Sequence, residues 1–61
     1  MIVYENELCS IECYDEMYVV YIGDLGIDCF DYVDGMEATQ VAEDYAHDQR
    51  VWLEDTIEEI K

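Results

Sequence analysis

Apolar and polar residues change rhythm once along this chain, near Asp34-Gly35. Before that point the pattern is strand-like, with a period of two. After it, apolar residues recur every three or four positions, as on a helix. Cys9, Ile11 and Cys13 alternate with Ser10 and Glu12. This predicts an extended segment from Ile2 to Tyr14, with Asn6 as the place for a break. Asp15-Glu16 reads as a tight turn. Met17–Ile22, MYVVYI, is the strongest strand; it is apolar on both faces and so belongs in the middle of a sheet. Gly23 to Gly26, GDLG, is a turn with glycines available for positive φ. Ile27 to Val33 is a third strand, its pattern diluted by Asp28 and Asp31.

The stretch from Asp34 to Lys61 reads as one long acidic helix. Asp34 serves as N-cap and Glu37, three places on, completes a capping-box pattern. Ala38, Val41, Ala42, Tyr45, Ala46, Trp52, Leu53, Ile57 and Ile60 form one broad stripe. Asp48 and Gln49 interrupt it, so a division into two helices near His47–Arg50 is the alternative. The predicted fold is α+β: a three-stranded antiparallel meander followed by this helix on one sheet face, in a single domain spanning residues 1–61. Cys9, Ile11, Cys13, Val19, Tyr21, Ile27 and Cys29 are the expected sheet core. On the third strand, Ile27, Cys29 and Val33 compete with Phe30 and Tyr32 for the inward face.

Charge changes the picture most. Seventeen Asp and Glu face only Arg50 and Lys61, a net of −15. Small domains ordinarily carry a net charge of about 2–8 in magnitude. Such an excess repels itself and costs stability, which a cationic partner would offset. A solvated surface accounts for some of the acids, but not for the near-absence of Lys and Arg, since mixed charges solubilise and repel less. Direct binding to nucleic acid or anionic lipid is not expected at this charge. The 52% of apolar residues separates the chain from disordered acidic tails.

Off the apolar stripe, Glu37, Asp44, Asp48, Asp55 and Glu59 fall near one line, with Glu43, Glu54 and Glu58 beside it. On a continuous helix the row spans roughly 33 Å, close to one turn of B-form DNA. Asp28, Asp31 and Tyr32 add a second acidic edge on the third strand. Tyr14, Tyr18 and Tyr32 are expected to point outward among carboxylates, where a tyrosine can stack under an arginine. Val51, Trp52 and Ile60 would be buried between helices if the chain formed a homodimer.

Other chemistry finds little purchase. Cys9 and Cys13 lie four apart on a strand, about 13 Å, which does not suit a zinc knuckle. The cysteines read as small buried apolar residues with reduced thiols in a cytoplasmic protein lacking a signal peptide or membrane span. Asp24, Asp28, Asp31 and Asp34 are spaced four, three and three apart, unlike a calcium loop. His47 is the single histidine, and so short a chain has little room for a catalytic pocket with a supporting shell. No metal, cofactor or enzyme activity is expected.

In size, charge and cytoplasmic character the chain resembles the small acidic DNA-mimic inhibitors of phages and mobile elements, the anti-CRISPR and anti-restriction proteins. The resemblance implies a nucleic-acid-binding host protein as partner, such as a CRISPR effector or a restriction enzyme, met in the host cytoplasm. It implies that carboxylates take the places of phosphates in that partner's cationic channel. The alternative class is an acidic module or adaptor that docks on one basic protein without competing with nucleic acid.

Overall fold

The computed structural model describes every residue from Met1 to Lys61. It is an α+β fold with a four-stranded antiparallel sheet, β1 (Ile2–Glu5), β2 (Ser10–Cys13), β3 (Met17–Ile22) and β4 (Leu25–Asp31). The strands lie side by side in chain order, β1-β2-β3-β4, as short turns dictate. Two helices follow, α1 (Ala38–Asp48) and α2 (Arg50–Ile60).

The segment expected as one strand is therefore two. Asn6 makes the turn between them. Its side-chain Oδ1 accepts from the amides of Leu8 at 2.8 Å and Cys9 at 2.9 Å, and its own amide donates to the Cys9 carbonyl. An asparagine that satisfies local backbone donors ends a strand for this reason. Tyr14 N donates to Met17 O at 2.8 Å, so Asp15-Glu16 does form the predicted turn. The next turn is tighter than expected. Only Gly23 and Asp24 lie between β3 and β4, and Gly23 has φ 62°. Positive φ at the first central residue is the demand of a type II′ hairpin. Gly26 belongs to β4, opposite Tyr21, next to a register shift that gives the strand an extra residue.

The helical half also differs from expectation. Asp34 is not a cap: it stands in a turn with Gly35, whose φ is 83°. The N-cap of α1 is Glu37, which makes no side-chain cap hydrogen bond. The long helix divides at Gln49, where φ −101° and ψ 16° leave the helical basin. The alternative reading of the sequence placed a break here. On an unbroken helix Gln49 and Arg50 would follow Ala46 by three and four residues, on the buried face. Leu53, seven residues after Ala46 and so on the same face, is fully buried, while Arg50 stays exposed at the rim.

Eight residues are buried in one cluster: Cys9, Ile11, Tyr18, Val20, Val41, Ala42, Ala46 and Leu53. Cys9 and Ile11 were expected there. On β3 the faces are the reverse of expectation, because Tyr18 and Val20 are fully buried while Val19 and Tyr21 are not. Ile11 pairs with Val20 and Cys13 with Tyr18, so the inward side of β2 selects these β3 residues. Cys29 is exposed and Cys13 half-buried, both outside the buried cluster. Phe30, not Cys29, packs inward on β4. Each fully buried Ile, Leu or Val side chain contributes about 1.5–3 kcal/mol, and this small set carries most of the apolar stabilisation.

Candidate acidic interface

The carboxylates are almost all on the surface. Sixteen of the seventeen are exposed, and Glu12 is half-buried. Few find a cation. Arg50 takes Glu7 at 2.6 Å and Glu54 at 3.5 Å, and Glu12 stands 3.7 Å from the terminal amine. The remaining fourteen carboxylates have no positive partner. Arg50 holds the Glu7 carboxyl below its usual range, chiefly through the direct hydrogen bond, and Glu7 in turn raises the Arg50 guanidinium.

The helices order the expected row in two pieces rather than one. Asp44 and Asp48 lie one turn apart on α1, with Glu43 beside them. On α2, Glu54 and Glu58 form one such pair and Asp55 and Glu59 another. Glu37 precedes α1 as its cap residue. The row is thus carried on two helix segments that meet at Gln49, with Gln49 N donating to Tyr45 O and Leu53 N to Gln49 O across the junction. Within α2 the four carboxylates occupy only about 7.5 Å of axis. Gln40 donates to Asp44 Oδ1 at 2.9 Å, which steadies one of the α1 acids.

The edge on β4 is of a different kind. Asp28 is exposed but tied inside the fold: its Oδ1 accepts from the Cys29 amide at 2.9 Å, and its Oδ2 accepts from the Tyr45 hydroxyl at 2.8 Å. Burial and this bond push the Tyr45 hydroxyl well above the ordinary tyrosine range. Tyr45 stacks on Phe30, Phe30 on Tyr18 and Tyr18 on Tyr32, with ring centroids 4.8, 4.9 and 5.9 Å apart. Tyr32 is the exposed end of this ladder; Asp31, the last residue of β4, pairs with Met17 on the opposite face of the sheet. Tyr18 was expected outside; it is in the core, and its hydroxyl has no hydrogen-bond partner. Sequence reasoning missed the ladder, though Phe30 and Tyr32 at alternate positions opposite Tyr18 were a signal for it.

Enclosed space is scarce. A cleft of about 50 Å³ lies between Tyr4, Asn6, Ala46, His47 and Arg50, far below the roughly 300–1,000 Å³ of small-molecule sites. No three His, Cys, Asp or Glu side chains gather closely enough to hold a metal ion. Cys9 is buried, which pushes its thiol up and away from the reactive thiolate. No helix is long and apolar enough to cross a membrane. Neither a family model, a curated protein nor a solved structure matches this chain.

Proposed function

We propose that this protein is an acidic inhibitor that mimics nucleic acid and occupies the cationic DNA- or RNA-binding surface of a defence effector, such as a CRISPR nuclease or a restriction enzyme, in the cytoplasm of the host cell. The observation that carries the reading is charge per length. Fifteen net negative charges are spread over a body 36 Å long, or about one per 2.4 Å. A single nucleic-acid strand carries one charge per about 3.4 Å and a duplex one per about 1.7 Å. The protein lies between the two, with the acids held outward by a fold rather than scattered on a coil.

The mechanism is competition without catalysis. Carboxylates of α1 and α2, with Asp31 and Tyr32 at the sheet edge, take the Lys and Arg sites that hold phosphates. Attraction is long-ranged, so association is fast and falls steeply with salt. A second reading, an acidic module that docks on one basic protein without displacing nucleic acid, is favoured by the exposed Val51, Trp52 and Ile60 of α2. The same residues would serve a homodimer, which would double the acidic surface.

The experiment is capture of partners from host lysate on immobilised protein at low and high salt. The reading expects a nucleic-acid-binding protein that leaves the column at high salt, and whose recovery drops when excess duplex DNA or RNA is added. A partner retained unchanged in the presence of nucleic acid supports the docking module instead.

A further inference from the structure

Only one face of the sheet is covered. Cross-strand partners share a face, so Val19 and Cys29 lie together opposite the side on which Tyr18 and Val20 are buried, and Met17 lies with them. Tyr21 belongs to this open face too. Its hydroxyl is 3.2 Å from that of Tyr14, and its ring lies over Gly26, where an added Cβ would stand 3.5 Å from a ring carbon. Between β3 and β4 runs an open groove of about 520 Å³ whose walls include Met17, Val19, Ile27 and Cys29. The side-chain charges on this face are all negative, and the terminal amine, 3.7 Å from Glu12, is the one positive group beside it. Register places Glu5 and Glu12 on the β1–β2 side and Asp31 on the β4 side, while the turns at Asp15-Glu16 and Asp24 close the two ends with more carboxylates. Arg50 and Lys61, the only basic side chains, both belong to the helical half.

We propose that this open sheet face docks a basic amphipathic helix of a partner protein. An apolar strip between acidic margins calls for an occupant with an apolar ridge and cationic flanks. A second copy of this chain would set acidic margin against acidic margin and bring fifteen more negative charges. A neutral helix would strip water from the marginal carboxylates and give them no counter-charge. The dimensions agree. The six residues of β3 span about 20 Å, the length of about 13 helical residues, and four strands give a bed about 14 Å wide for a helix about 10–12 Å across. This inference shares with the proposed function a cationic partner, but does not require competition with nucleic acid.

Protection of the Cys29 thiol tests it, because Cys29 is exposed on this face while Cys9 is buried. The probe is a synthetic 14-residue Leu/Lys peptide with leucines at helical spacing, compared with a scrambled peptide of identical composition. Alkylation of Cys29 by N-ethylmaleimide is followed by peptide mapping at 0.3 M NaCl. The expected result is at least tenfold slower alkylation with the amphipathic peptide, little change with the scrambled one, and loss of protection in a Val19→Thr, Met17→Ser variant. Equal protection by both peptides, or by neither, overturns the proposal. So does a protein that is dimeric by sedimentation and already protected at Cys29 without peptide. A variant with Glu43, Asp44, Asp55 and Glu59 changed to Gln separates the two ideas: it should lose competition with nucleic acid yet keep Cys29 protected.

Discussion

Arg50 crosses 43 positions of sequence to place its guanidinium 2.6 Å from Glu7, joining the start of α2 to the β1–β2 turn. It is the only side-chain cation in the fold that meets a carboxylate. Arg50→Ala should therefore lower thermal stability and loosen α2. The effect should depend on pH. The Glu7 carboxyl titrates below its ordinary value, so the pair's contribution is present above the unfolded carboxyl range, about 4.3, and disappears as pH falls through the lowered folded value. Melting curves of wild type and Arg50→Ala should differ at pH 7 and converge in acid. A constant gap across that range would contradict the pairing.

Tyr45 and Asp28 form the other link between the layers, α1 to β4. Tyr45→Phe keeps the stacking on Phe30 and deletes the 2.8 Å hydrogen bond, so it should cost about 1 kcal/mol at this half-buried site. The tyrosine's titration is raised, by burial first and Asp28 second. Its stabilisation is complete below about pH 10, the unfolded value, and is lost as pH rises from there towards the folded one. Alkaline denaturation should accordingly be less steep in Tyr45→Phe than in wild type.

Tyr18 offers a gain. Its hydroxyl is buried without a partner, and burial together with Cys13 and Tyr32 pushes its titration up. An unsatisfied buried group costs about 1–3 kcal/mol. Tyr18→Phe removes it while leaving the ring stacked, and should hold or raise the melting temperature, by about 4 °C or more if 1 kcal/mol is recovered. A fall of several degrees would mean that the hydroxyl is satisfied in solution.

The two neighbouring valines of β3 report which face is inside. Val20→Ala should cost about 2 kcal/mol, since Val20 is fully buried, and Val19→Ala should cost under 1 kcal/mol. Urea denaturation of both variants measures the difference. Equal costs would mean that the open face is covered.

These faces mark the limit of what the sequence tells. MYVVYI is apolar at every position, so its alternation cannot choose a side. The choice follows from Ile11, whose place in the core was legible, and from its pairing with Val20, which was not. The helix break was half visible: Asp48 and Gln49 interrupt the stripe, but the Arg50–Glu7 pair just beyond it joins residues distant in sequence and was not. Asn6 was readable as a break and proved to be a full turn, because its side chain serves two amides. Capping failed for a local reason. Gly35 takes positive φ directly after Asp34, so the helix starts three residues later than the Asp34–Glu37 spacing suggests. The carboxylates needed no structure to be found, since charge alone puts them outside. Their division into two helical segments, and the engagement of Asp28 by Tyr45, required the tertiary arrangement.

The central claim is that the outward acids of α1 and α2 substitute for phosphates. Its most direct test is displacement of a labelled duplex from the captured effector, titrated with this protein at 0.05, 0.1 and 0.2 M NaCl. The account predicts full displacement, a midpoint that rises steeply with salt, and a loss of at least tenfold in potency when Glu43, Asp44, Glu54, Asp55, Glu58 and Glu59 are changed to their amides. An effector that binds this protein and its duplex at the same time, or a potency indifferent to salt and to those six changes, would contradict it.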